Sequence, residues 1–105
     1  DMEIIETKIY TKYITELLTD DQYKELQQYL IEFPKGGDVI KGSGGLRKLR
    51  WESKNKGKSA GIRNIYYYYE SEGTIYMLYV YQKGRQDNLS AKEVALLKSV
   101  LEGII

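Results

Sequence analysis

Eight lysines and arginines fall between positions 39 and 63: Lys41, Arg47, Lys48, Arg50, Lys54, Lys56, Lys58 and Arg63. A single acid, Glu52, stands among them, so this stretch carries +7 against −5 for residues 1–38 and −1 for residues 64–105. The net charge of +1 therefore conceals a cationic segment in an otherwise acidic chain, the footprint of a surface that docks a polyanion, nucleic acid before others. A solvated lysine-rich loop would account for part of it. It does not account for Arg47, Lys48, Arg50 and Arg63, which lie in strand-like sequence where side-chain direction is fixed. Cations held by strands lose little freedom on meeting a phosphate. Arg50 and Arg63 are suited to gripping phosphate oxygens bidentately. Lys48, crowded by other cations, is a candidate base, and Lys83, at the end of the last predicted strand, completes the candidate catalytic set. Arg47, the loop lysines Lys54, Lys56 and Lys58, and Arg85 would add salt-dependent attraction to a nucleic-acid backbone.

What the chain lacks narrows the chemistry. It contains neither cysteine nor histidine. A thiolate nucleophile, a disulfide framework, a Cys/His zinc site and an imidazole base are all excluded, and nothing resembles a calcium loop. No metal and no cofactor is expected. Its 105 residues suit one domain, residues 1–105, long enough to bury a core without staples. No apolar run approaches membrane-spanning length and no secretory signal is evident. The expected location is the cytoplasm, with no membrane partner.

The elements that must position the cations can be read from periodicity. Met2 to Ile9 is β-prone. Tyr10, Tyr13, Ile14, Leu17 and Leu18 have helical spacing. Thr19 with Gln22 three residues on is a helix-start signature, Tyr23, Leu26, Leu30 and Phe33 continue along one face, and Pro34 ends the helix. Val39-Ile40 is a short apolar patch between two turns. Leu46 to Trp51, Ile62 to Glu70 and Thr74 to Gln82 read as strands, the last two joined by a hairpin at Glu70-Ser71-Glu72-Gly73. Ser90 with Glu93 opens a final helix whose apolar positions are Val94, Leu97, Leu101 and Ile104. The order β-α-α-β-β-β-α predicts an α+β domain, with the two-helix connection crossing one face of an antiparallel sheet. If the three strands form a meander, Lys48, Arg50, Arg63 and Lys83 can converge on one face. Strand alternation places Leu46, Lys48 and Arg50 on one side and Arg47, Leu49 and Trp51 on the other.

The eleven tyrosines suit a strand-rich core, because tyrosine is a strong strand former. Tyr66 and Tyr81 are placed at the border of the cationic face but not in the catalytic set, and Trp51 is assigned to packing. Gly42-Ser43-Gly44-Gly45 lacks the Gly-Lys-Ser/Thr ending of a phosphate loop and precedes a strand rather than a helix.

The ordered series of short motifs resembles the RelE/HigB toxins of bacterial type II toxin–antitoxin systems. It runs Gly-Gly-Leu-Arg-Lys-Leu-Arg-Trp at 44–51, Lys-Gly-Lys at 56–58, Gly61-Ile62-Arg63, Ile65-Tyr66-Tyr67, Leu78-Tyr79-Val80-Tyr81-Gln82-Lys83 and Asp87-Asn88-Leu89-Ser90. The upstream Pro34-Lys35-x-Gly37-Asp38-Val39-Ile40-x-Gly42 is similar to the HigB branch, and the resemblance covers nearly the whole chain. It implies a RelE/ParE-like, microbial-RNase-like fold and a ribosome-dependent mRNA interferase, an endoribonuclease that cuts mRNA in the ribosomal A site. In that chemistry the nucleotide's own 2′-hydroxyl attacks the adjacent phosphate without a metal. Carried over by position, Lys48 is the base or proton relay, Arg63 and Lys83 stabilise the phosphate, and Arg50 assists. The implied partners are the ribosome, mRNA and a HigA-like helix-turn-helix antitoxin, with DNA engaged only through the antitoxin. The chain departs from the HigB pattern at Gly57-Lys58-Ser59-Ala60-Gly61, where a loop cation is missing. It also has Leu89 where some relatives carry a base-stacking tyrosine. Two alternatives stand beside the interferase: a ParE-like toxin that poisons gyrase, and a non-catalytic RNA-binding module.

Overall fold

Each α-helix among the described residues starts at a hydroxyl side chain that accepts from a backbone N–H otherwise left without a partner. In the computed structural model, which describes residues 2–52, 61–84, 86 and 88–105, Thr7 opens α1 (Lys8–Leu17) by accepting from Tyr10 N. Thr19 opens α2 (Asp20–Glu32) and Ser90 opens α3 (Ala91–Ile104). At the latter two the box is reciprocal: Gln22 and Glu93 accept in turn from the cap's own N–H, as the Thr19–Gln22 and Ser90–Glu93 spacings predict. Pro34 follows the C-cap Phe33, where a continuing helix could not hold it. Among the described residues no helix is long and apolar enough to cross a membrane.

The strands are β1 (Glu3–Glu6), β2 (Asp38–Val39), β3 (Arg47–Trp51), β4 (Ile62–Tyr69) and β5 (Thr74–Gln82), in the sheet order β1-β5-β4-β3-β2. The fold is α+β, and β3, β4 and β5 form the expected antiparallel meander. Three particulars differ from the sequence reading. The sheet is mixed, because β1 pairs with β5 in parallel and so leads into the helical hairpin from the sheet edge. The first strand stops at Glu6 rather than Ile9, since Thr7 already caps the next helix. A fifth strand, β2, forms at Asp38–Val39 opposite Lys48 and Arg47. Two exposed residues carry no burial pattern from which a strand could be foreseen, and backbone pairing alone makes it one.

Each face of the sheet has its own core. On one, α1 and α2 bury Tyr10, Ile14, Leu18, Leu26 and Leu30 against Leu49, Ile62, Tyr66, Ile75, Met77 and Val80. On the other, α3 sets Leu97 and Leu101 on Leu46, Ile65, Leu78 and Tyr81. Strict alternation along β5 would put Tyr81 on the face of Ile75 and Met77. Instead the ladder shifts: Ile65 pairs with Tyr79 and Tyr66 with Met77, leaving Leu78 as the extra residue of a β-bulge. The bulge sits where β1 turns away into α1, and Thr7 holds it from both sides of its own backbone. The Thr7 hydroxyl donates to Leu78 O at 2.9 Å, and Thr7 N donates to Met77 O at 3.0 Å. Beyond the bulge the parity of the strand is reversed, so Val80 joins the α1/α2 core and Tyr81 the α3 core.

One glycine is required by close approach. A Cβ on Gly37 would lie 2.9 Å from the ring of Tyr66 and 3.0 Å from Lys48 O. Its N–H donates to Tyr66 Oη at 2.9 Å, and that hydroxyl donates to Pro34 O at 2.8 Å, so one buried phenol ties the end of the helical hairpin to the sheet. Burial pushes the Tyr66 hydroxyl above the ordinary tyrosine range.

Candidate RNA-cleavage site

Arg50 on β3 stands directly opposite Arg63 on β4, and Arg63 directly opposite Tyr81 on β5. The three form one row across three adjacent strands, with side chains on a common face. The face is that of α3. Leu46, two positions from Lys48 and four from Arg50, packs in the α3 core, while Leu49 between them packs in the other. Arg63 alternates between Ile62, which is in the α1/α2 core, and Asn64, which accepts from Tyr10 Oη of α1 at 2.6 Å. Lys48 lies one step along the same face, opposite Ile65. Lys83 follows two residues after Tyr81, and its N–H donates to Gly61 O at 2.9 Å, which keeps it in register at the end of the ladder. The bulge at Leu78 thus turns this end of β5 toward the cations of β3 and β4; without it Tyr81 and Lys83 would share the face of Met77.

The environments of these cations are graded. Arg63 is buried, at 9 % exposure, and donates from Nη1 to Ile62 O at 3.2 Å. A Cβ on Gly61, two residues before it, would make only an ordinary contact with that Nη1, at 3.5 Å, and a tighter one with Trp51 O, at 3.2 Å. Lys48 is half-buried and donates to Asn88 Oδ1 at 2.8 Å, whereas Arg50 and Lys83 are exposed. Asp38 is Lys48's register partner on β2. Among the described residues, however, the ion pair is Lys35 with Glu70, at 3.2 Å and far along the chain, and none of Lys48, Arg50, Arg63 and Lys83 is in one. Like charges directly opposite one another in a ladder destabilise it by a few tenths to about 1 kcal/mol. A pair of arginines so placed without a carboxylate bridging them is an arrangement that an anionic ligand relieves. Chemically the face can neutralise a phosphodiester and the additional charge of its pentacovalent state.

The remaining sequence candidates divide. Arg47 lies on the opposite face, where Nη1 donates to Gly37 O at 2.8 Å and to Lys35 O at 3.3 Å. It fastens the turn after α2 and is not brought together with the row. Lys54, Lys56, Lys58 and Arg85 lie outside the described residues. Tyr66 does not border the cationic face, since it is an odd number of positions from Arg63 and points into the α1/α2 core. Tyr81 does border it, through direct pairing with Arg63. Trp51 packs beside Tyr29, ring centroids 5.3 Å apart. Ser43 in the Gly-rich turn is fully buried and accepts from Leu46 N at 3.0 Å while donating to Ile40 O, so its hydroxyl is spent on the turn. Asn88 had no assigned role from sequence. The 40 residues that separate it from Lys48 leave no local pattern by which the contact could be found.

The match to known proteins follows the same frame. The family model described as the RelE toxin of the RelE / RelB toxin–antitoxin system matches residues 2–104, which takes in the five strands and three α-helices of the described residues and every cation of the row. The chain belongs to the RelE family, the toxins of toxin–antitoxin pairs, and its partner class is accordingly an antitoxin.

Proposed function

We propose that the protein is a ribosome-dependent mRNA interferase of the HigB branch, cutting mRNA in the A site, with Lys48, Arg50, Arg63 and Lys83 as its catalytic residues. The observation that carries this reading is the Arg50–Arg63 pair in direct register, with Lys48 beside it and no carboxylate paired to any of them among the described residues. Packing alone has no use for opposed guanidinium groups; an anion between them does, and a bent phosphodiester is such an anion.

In the proposed step Lys48 is the base, taking the proton of the nucleotide's 2′-hydroxyl as the 2′-oxygen attacks phosphorus. A P–O bond forms and the bond to the 5′-oxygen breaks, leaving a 2′,3′-cyclic phosphate and a 5′-hydroxyl once the leaving oxygen takes up a proton from water. Arg63, sunk in the sheet and held by Ile62 O, supplies fixed charge where the pentacovalent phosphorus gathers it, and Lys83 and Arg50 flank it. Arg47, Lys54, Lys56, Lys58 and Arg85 contribute phosphate-backbone attraction to ribosomal and messenger RNA. The antitoxin is a HigA-like helix-turn-helix protein through which the pair reaches DNA, and the toxin works in the cytoplasm, where ribosomes are.

The test is expression without antitoxin, with mRNA ends mapped in a translating extract. Cuts inside the A-site codon that disappear in Arg63→Ala support the reading. Intact mRNA with trapped gyrase–DNA complexes would replace it by a ParE-like activity, and salt-sensitive RNA binding without toxicity by a binding module.

A further inference from the structure

Lys48 is tethered to a segment 40 residues away, and that segment is itself fixed from behind. Asn88 Oδ1 accepts from Lys48 Nζ at 2.8 Å. The backbone carbonyl of Asn88 accepts from Gln86 Nε2 at 3.1 Å, and the same Nε2 donates to Glu93 Oε1 at 3.1 Å. Glu93 Oε1 also accepts from Ser90 N at 2.8 Å as part of the box that starts α3. Gln86 in turn bridges to Lys83 at the end of β5. An unbroken set of contacts therefore runs from the first turn of a helix, through two carboxamides, to the ammonium group of the central strand.

We infer that Asn88 is a positioning residue for Lys48, holding its ammonium group through a neutral acceptor; this rests on the proposed reading of Lys48 as the base of RNA cleavage. A lysine carries three N–H donors on a flexible stem, so one fixed acceptor removes most of the freedom of the head group and leaves the rest for the substrate. A carboxamide does this without supplying a negative charge that would favour the protonated form. Among the described residues, the charged groups on the elements around Lys48 are Arg50 on its own strand, Arg63 on β4, Lys83 after β5, Asp38 on β2 and Glu93 on α3. Asp38 is not in an ion pair with Lys48. Glu93 is committed elsewhere: the Ser90 N–H, with help from Gln86, holds its carboxyl below the usual range. The carboxamide of Gln86 thus stands between the acid and the lysine, passing on position but not charge.

The experiment is the pH–rate profile of ribosome-dependent cleavage for Asn88→Ala and Asn88→Asp, read beside the 15N NMR signal of the Lys48 ammonium in the full chain. Asn88→Ala is expected to lose about tenfold in rate, the scale of a misplaced catalytic group. It is also expected to lose the restrained ammonium signal while melting as the wild type does. Asn88→Asp keeps an acceptor but adds charge, so its rate recovers at high pH and its profile is displaced upward by about one pH unit. Wild-type rate and profile in both variants, with an unchanged Lys48 signal, would overturn the inference. Should the wild type itself fail to cut mRNA, the cleavage reading falls, and the NMR comparison alone decides whether the tether exists.

Discussion

The two faces of the sheet are built on opposite rules. On the α1/α2 face the phenols that enter the core among the described residues are given partners. Tyr10 Oη donates to Asn64, Tyr23 Oη donates to Glu6, and Tyr66 is bonded to Gly37 and Pro34. On the α3 face the apolar cover of Leu97 and Leu101 serves one part of the sheet, and the neighbouring part carries Arg50 and Arg63 in register with no ion pair among the described residues. Polar groups satisfied inside a core stabilise one structure; like charges held together by strands cost stability until a ligand arrives. The comparison teaches where to look for function: in the place where the fold tolerates a local electrostatic cost, rather than where its hydrogen bonding is complete.

Substitutions should separate the faces by kind of effect. The largest is expected at Arg63→Ala, which should lower cleavage by about two to three orders of magnitude in a ribosome assay. The same change should alter the unfolding free energy measured in urea by no more than about 1 kcal/mol, because it also removes a like-charge contact. A folded Arg63→Ala variant that cuts at the wild-type rate would break the comparison. Leu30→Ala, fully buried on the other face, should cost about 2–5 kcal/mol in chemical denaturation. Where the protein remains folded, cleavage per folded molecule should be intact.

Alkaline pH sharpens the contrast further. Burial raises the hydroxyls of Tyr10 and Tyr23 well above the ordinary tyrosine range; after burial, Tyr10 is affected most by Tyr23, and Tyr23 by its bond to Glu6. Stability from these protonated phenols is full below the unfolded value of about 10 and falls as pH rises beyond it, because only the unfolded chain ionises there. Denaturation midpoints should therefore hold from neutral pH to about 9 and drop above about 10. In the double variant Tyr10→Phe, Tyr23→Phe that drop should shrink, and an unchanged alkaline limb would show that the phenols are not its source. A smaller effect belongs to Arg47→Ala, which loses carbonyl contacts on the α1/α2 face and should cost about 1 kcal/mol of stability with cleavage reduced less than tenfold. The smallest is Glu93→Ala, under about 1 kcal/mol through the opened box of α3. Since the folded carboxyl titrates below its usual value, that contribution is present above the ordinary carboxylate range and disappears as pH falls below it.

Much of this was legible residue by residue. Thr19 with Gln22 and Ser90 with Glu93 announce their helices because a cap is satisfied within four residues. The alternation Leu46, Lys48, Arg50 against Arg47, Leu49, Trp51 reads correctly because a strand has only two faces. Less was legible where distant segments decide. The two residues of β2 have no pattern of their own and become a strand only by pairing with β3. Tyr66 and Tyr81 look equivalent in sequence, yet one is locked under the helical hairpin and the other lies beside Arg63.

Composition and local spacing determined which chemistries are available, where the helices begin, and that cations would be carried by neighbouring strands, because each of these depends on residues a few positions apart. Tertiary structure alone decided which cations meet. The extra residue at Leu78, held by Thr7 from across the fold, reverses the parity of β5 and turns its end toward Arg50 and Arg63, while Asn88 reaches Lys48 from beyond the last strand. Those outcomes depend on hydrogen bonds between segments far apart in the chain, and no short-range preference encodes them.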